Sequence, residues 1–405
     1  MNDGRDQVRL KWLTCLMFLM FAMTSDAVGS VIPRVLEEYR LSLKAASAFH
    51  YAPMIAIAIG ALSLGFLADR LGRRRTIVLG LALYGASSLL FAFGNSFLQF
   101  VALLAVAGFG ISIFKIGALA LIGDISRNNA EHTRLMNTVE GFFGVGAIIG
   151  PAIVAVLLSA GFSWKWLYVC AAIICFGLLA MAMTGRYPEV KHQATERIDL
   201  ARTLRLMRDR HAIGFSLLIM LYVAVEVAIY VWMPTYLQDY GGAYAWLPVY
   251  ALTLFFVLRA AGRFLAVWLL GRFRWNHILA VFGLAIFGCF AGSLWFGVNA
   301  GAWLLPISGL FMSMIYPTLN SKGISGFRAD EQGAVAGVIL FFTAVAAAAG
   351  PLAMAAVSDA GGSLRHGFAL ATAFAGLLAL GLLYNGIADP AAPRLAAREA
   401  RGTGA

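Results

Sequence analysis

The chain has 405 residues, of which 61% are hydrophobic and only 13% charged, with a mean hydropathy of +0.80. Such values lie far outside the range of a soluble domain. The net charge of +11 falls mainly in short loops, so it reads as membrane topology and attraction to anionic lipid headgroups, with no nucleic-acid partner.

A hydrocarbon core of ~30 Å needs roughly 20 apolar residues per spanning helix, and only a helix satisfies its own backbone polar groups there. Twelve apolar stretches meet that length, near 11–32, 44–67, 75–94, 98–123, 135–158, 164–184, 212–237, 245–268, 276–297, 301–321, 333–357 and 364–388. The predicted fold is an all-α membrane protein of two six-helix bundles. Residues 1–185 form the first and 212–405 the second with a short cytoplasmic tail. Between them, 186–211 is a linker in which Ile198, Leu200, Leu204 and Met207 recur among arginines, the pattern of an amphipathic interfacial helix.

The basic residues crowd the loops on the side of the termini, while the opposite loops hold Arg34, Arg40, Lys44, Lys165 and Arg365. The positive-inside rule then places both termini in the cytoplasm, with the chain in the cell inner (plasma) membrane. The first apolar stretch is too long for a cleavable signal and lacks a small-residue cleavage site. Cys15, Cys170, Cys175 and Cys289 fall inside spans without metal-like spacing and read as small packing residues. Among the histidines, His50 near the outer end of span two is the one worth testing for function.

The two halves repeat at an offset of about 200 residues: Asp26 before Pro33 meets Glu226 before Pro234, and GAIIGPAIVA (146–155) meets AAAAGPLAMA (346–355). Parallel six-helix repeats are the plan of one large transporter class, which binds solute between the halves near the bilayer midplane. No phosphate-cradling loop, zinc-ligand spacing or nucleophile elbow is present, so the chain is read as no enzyme, needing no cofactor and driven by an ion gradient or by the solute's own.

Four ionisable residues lie in the middle of spans: Asp26, Lys115, Glu140 and Glu226. At ~2.5–3.5 kcal/mol each on insertion scales, such groups must face one another or water. Asn137, Glu140 and Gly144 share a face of span five, Ser112 and Lys115 one of span four, and Tyr222, Glu226 and Tyr230 one of span seven. The expectation is a cluster of Asp26, Lys115 and Glu140 in the first bundle, with Glu226 in the second. A lysine between two acids can work as a proton switch: a carboxylate paired to Lys115 stays ionised, and one from which the lysine withdraws captures a proton. Asp26 is the first choice of carrier and Glu140 the second. Two alternatives stay open, a permanent ion pair that fixes helices and a Lys115 that anchors an anionic solute such as a sugar acid. Candidate solute contacts are Asn137, Tyr222, Tyr230, Trp232, Arg259, Tyr316 and Asn320, rings for apolar sugar faces and polar groups for orientation. Arg259 is also placed to pair with Glu226.

GFLADRLGRRR (65–75), between spans two and three, resembles the loop signature of the major facilitator superfamily nearly position for position. The resemblance implies a conformational latch at Gly65, Asp69, Arg70, Gly72 and Arg73; the matching stretch RFLAVWLLGRFR has no aspartate, so a second latch is expected to be weaker. TSDAVGSVIP, NTVEGFFGVGAII, LYVAVEVAIYVWMPTYL, LRAAGRFL and SMIYPT together are similar to the fucose:proton symporter branch, which includes glucose and mannose permeases. Asp26 falls on that branch's span-one acid, for which the resemblance implies proton coupling, whereas Lys115 and Glu140 stand where it has glutamate and glutamine. GAIIGP partly resembles a drug-exporter signature, but Val154-Ala155 replace its glycine pair. The sequence thus points to an alternating-access, proton-coupled symporter of a small polar solute such as a monosaccharide, acting as a monomer among membrane lipids. A proton antiporter exporting drugs or metabolites, and an importer of an organic anion anchored by Lys115, are the alternatives.

Overall fold

The structure, a computed structural model, describes residues 3–64, 71–125, 129–187, 208–327 and 329–395. Most of the 186–211 linker, with its expected amphipathic helix, lies outside the described residues, as do Gly65, Asp69 and Arg70. Among the described residues every regular element is a helix, and twelve helical segments are long and apolar enough to cross a membrane. The chain forms two compact units, Met1–Thr195 and Glu196–Ala405.

The first unit holds α1 (Asp3–Ser25), α2 (Val28–Tyr39), the short α3 (Leu43–Ala46), α4 (Ala48–Leu64), α5 (Arg73–Leu89), α6 (Phe97–Ile125), α7 (Asn129–Ser159) and α8 (Trp166–Thr184). The second holds α9 (Arg210–Tyr236), α10 (Trp246–Leu270), α11 (Trp275–Phe296), α12 (Val298–Met312), α13 (Ile315–Ser325), α14 (Ala329–Gly361) and α15 (Leu364–Ala388). Helix pairings repeat between units. α1 packs on α7 as α9 packs on α14, α4 on α6 as α10 on α12, and α5 on α8 as α11 on α15. Internal duplication of sequence is therefore duplication of packing.

Among the described residues, two spans are broken well inside their length. α1 and α2 are one 35-residue span, Arg5–Tyr39, interrupted at Asp26–Ala27, where the Ser30 amide donates to the Ala27 carbonyl in a tightened turn. Pro33 sits inside α2 without ending it. α12 and α13 share the span Val298–Ile324 and part at Ser313–Met314. Here proline is the cause, since the ring of Pro317 clashes with the carbonyl four residues earlier, Ser313, and is tolerated in the first turn of the helix that restarts.

Close packing within each unit rests on small residues, as apolar surface gives no net drive for helices to associate in lipid. A Cβ added to Gly146 would collide with the Leu19 carbonyl, and one on Gly150 with the Met23 carbonyl, so the GAIIGP face of α7 is pressed onto the α1 backbone. Those two glycines seat α1 just before its break. Near the loops away from the N-terminus, Phe49, Phe91, Phe100, Trp164 and Tyr168 pack ring against ring, Phe91 stacking on Tyr168 at 4.0 Å between centroids.

Candidate transport site

In the first unit the helix break positions the acid. Asp26 is 8% exposed and accepts a 3.0 Å hydrogen bond from the Ser25 hydroxyl. It precedes α2, whose leading amides and dipole favour a negative charge. Lys115, half-buried on α6, sends its ammonium between two rings of α1, 5.3 Å from the centroid of Phe18 and 5.2 Å from that of Phe21. Each such contact is worth about 0.5–2 kcal/mol. The carboxylates acting electrostatically on Lys115 are Glu140 first and Asp26 second. Glu140 is exposed on α7, one turn before Phe143, whose ring meets Phe21 edge-on at 5.6 Å. Three helices thus place two acids within electrostatic reach of one lysine. The side chain of Asn137 lies outside the described residues.

In the second unit Glu226, also 8% exposed, binds Arg259 with Nη2 2.6 Å from Oε1. The Tyr222 hydroxyl, one turn earlier on α9, donates to the same Oε1 at 2.9 Å and lies 3.0 Å from the carbonyl of Met312, the last residue of α12. Sharing that proton gives the broken span's free carbonyl a partner. Arg263, one turn beyond Arg259, acts electrostatically on the same hydroxyl. The Tyr316 ring, in the first turn of α13, lies 6.2 Å from that of Tyr222. Charge is therefore distributed unequally: two acids and one lysine in the first unit, one acid and two arginines in the second.

The candidate solute contacts divide by exposure. Tyr230, Arg259, Tyr316 and Asn320 are partly exposed. Tyr222 and Trp232 are at 0% exposure, which corrects the expectation that both offer rings to a solute in this conformation. The cause at Trp232 is its indole N–H, which must find an acceptor once buried and takes the carbonyl of Pro351, at 3.1 Å, tying α9 to α14.

Of the expected latch, Gly72 and Arg73 are described. Gly72 has φ +80° and ψ 159°, a conformation open in practice only to glycine, and it turns the chain into α5. Arg73 pairs through Nε with Asp124 Oδ2 at 2.8 Å, joining the start of α5 to the end of α6. Sequence reasoning did not single out Asp124; the signal was an acid just past the apolar stretch of span four. In the second unit Arg272 lies over the Trp268 ring, 4.3 Å from its centroid. A further cluster escaped notice. Asp209 caps α9 by accepting from the His211 and Ala212 amides, and binds Arg394 of the C-terminal segment through both oxygens at 3.0 Å. Arg394 also donates to the Gly326 carbonyl and covers the Phe327 ring at 3.9 Å.

Comparison with known proteins places these features in a family. A homologue of protein TsgA from Yersinia pestis (strain Pestoides F) is 21% identical over 338 residues, 80% of this chain and 81% of the relative. The crystal structure of the nucleoside transporter NupG superimposes with a TM-score of 0.74 at 16% identity, covering 95% of this chain and 98% of that one. The fucose:proton symporter FucP of E. coli does so with 0.63 at 21% identity, covering 92% and 98%. These structural likenesses establish the fold. The profile of the Major Facilitator Superfamily matches residues 14–351, and the chain belongs to that family.

Proposed function

We propose that the protein is an alternating-access, proton-coupled importer of a small polar solute, a monosaccharide or sugar derivative, in the cell inner membrane with both termini cytoplasmic. The observation that carries this reading is the cluster of Asp26, Lys115 and Glu140 at a broken span. Ionisable groups within spans mark ion or substrate pathways, and discontinuous helices build such sites in transporters. Lys115 balances the carboxylates while it stays between them. Its withdrawal, driven by solute or by helix movement, leaves Asp26 in a low-dielectric setting where protonation relieves the buried charge. The fold shared with FucP, a fucose:proton symporter, supports both solute class and coupling ion. Tyr230, Tyr316 and Asn320 are the partly exposed groups suited to a sugar. Gly65, Asp69, Arg70, Gly72 and Arg73 are proposed as a conformational latch, and the Arg73–Asp124 pair supports a structural role for the arginine.

A second reading, import of an organic anion, is favoured by the excess of Arg259 and Arg263 over Glu226, whereas Lys115, already set between two acids and two rings, is a poorer anchor than the sequence implied. Proteoliposomes holding labelled monosaccharides or sugar acids test both. Counterflow identifies the solute, and acidifying the outside drives its accumulation. Each pH unit supplies about 1.4 kcal/mol per proton, a concentrating ratio of about tenfold for one proton per solute. Expulsion under the same gradient means antiport and overturns the proposal.

A further inference from the structure

Between α1, α4, α5, α6 and α8, inside the first unit, lies a small, mostly apolar cavity with a few polar groups in its wall, which none of the charged residues lines. Its volume is about 30 Å³, room for one or two waters at the ~10–15 Å³ each requires. Much of the wall is apolar, contributed on α6 by Leu104, Ala107 and Ile111, none of which titrates. Polar groups come from the other four helices. α5 presents Tyr84 and Ser88, α8 presents Tyr168, α4 presents His50 and α1 presents Thr24 and Ser25.

Their hydrogen bonds are incomplete in a directed way. Thr24 donates to the Phe21 carbonyl at 3.1 Å, so the 2.9 Å contact between Thr24 and Tyr84 carries the tyrosine's proton and leaves the Tyr84 oxygen free to accept another. The Ser88 hydroxyl, in a residue 1% exposed, neighbours Tyr84, and the Tyr168 hydroxyl, in one 3% exposed, has no hydrogen-bond partner among the described residues. Buried hydroxyls are seldom left so, and ordered water with two to four polar neighbours is the usual remedy. His50 is 1% exposed and stands in the first turn of α4. Ser25 closes the sequence of groups, since the residue lines the cavity and its hydroxyl donates to Asp26.

We propose that this cavity holds one or two waters joining His50 and Tyr168 to Ser25, and through Ser25 to Asp26, as the route by which protons reach that carboxylate. The inference rests on the proton-coupled reading and adds the path to it. A proton given by the His50 imidazolium to the water passes to Ser25 as the serine hydroxyl gives its own to Asp26. His50 then takes a proton from the water side. The titratable groups facing the cavity are His50, Tyr84 and Tyr168, with Asp26 behind Ser25; no other charged group lines it.

The full chain in lipid vesicles is given an acid pulse, and the protonated-carboxyl infrared band that Asp26→Asn removes is followed in time. Tyr168→Phe with Ser88→Ala keeps the packing and removes the water's anchors, while His50→Gln keeps a polar group that cannot relay. Both are expected to slow the rise of the band about tenfold or more, below the roughly 10²–10⁴ a positioned proton donor can contribute, with helicity unchanged by circular dichroism. Wild-type rates in both variants overturn the route and leave the coupling reading standing. If no Asp26 band titrates in the wild type, both fall. A high-resolution structure adds a check on the unmodified chain: solvent density between Ser88 and Tyr168 supports the route, and a dry cavity there contradicts it.

Discussion

Removing Arg259 leaves Glu226 in a protein interior with one donor in place of two. At 2.6 Å, and with an effective dielectric of about 20, the pair's Coulomb attraction is of the order of 6 kcal/mol, against desolvation of several kcal/mol per ion. Attraction and desolvation nearly cancel in the intact pair. Breaking it does not cancel, and typically costs about 3–5 kcal/mol because one buried charge is stranded. The side chains retain 19% and 10% exposure and Tyr222 still donates to Glu226, so the lower end applies: about 3 kcal/mol for Arg259→Met. Glu226→Gln strands Arg259 beside Arg263 and should cost about as much. The double variant strands neither and should cost about 1 kcal/mol or less, a coupling of several kcal/mol. Thermal unfolding of the four purified proteins reads this directly, at about 2–4 °C per kcal/mol for a unit of this size, so each single variant should melt roughly 6–12 °C early. Additive losses, with the double variant the least stable, would refute the account of Glu226 and Arg259 as one electrostatic element.

Other consequences are equally open to measurement. Gly150→Ala drives a methyl into the Met23 carbonyl and should destabilise by about 1–3 kcal/mol, whereas Gly141→Ala, with nothing within 4 Å of its added carbon, should be neutral or stabilising by up to about 1 kcal/mol; equal melting temperatures would contradict the packing of α7 on α1. Burial pushes the Asp209 carboxyl up, but the Ala212 amide, Arg394 and the His211 amide outweigh it and hold the group below its ordinary value of 3.8. Because its folded pKa is depressed, Asp209 stabilises fully above that value and loses its contribution as pH falls through the folded pKa. The melting difference between wild type and Asp209→Ala, ~1–2 kcal/mol from a lost cap and a partly exposed ion pair, should therefore hold across neutral pH and shrink only below about pH 3.8; a difference that fades already near neutrality would contradict it.

Most of the architecture was legible because lipid constrains sequence severely: a span needs an unbroken apolar stretch, and the matching Gly-Pro pairs at 150–151 and 350–351 betray the duplication. Charged residues inside spans were equally visible, since few sequences tolerate them without a partner. Breaks were harder. Pro317 accounts for the one at Ser313, but the break at Asp26–Ala27 has no proline at the needed spacing, since Pro33 lies within α2. Burial of Trp232 was hidden because helical periodicity shows which face a residue shares, not which neighbour covers it. The Asp209–Arg394 contact joins positions far apart in the chain, and no local pattern predicts such a pair.

The central claim is that Asp26 carries the proton that drives uptake. Its most direct test is Asp26→Asn in proteoliposomes, with acid-driven accumulation and solute exchange at equal pH measured side by side. The account predicts that accumulation under the gradient disappears while exchange continues. Acid-driven accumulation at the wild-type level in that variant would contradict it.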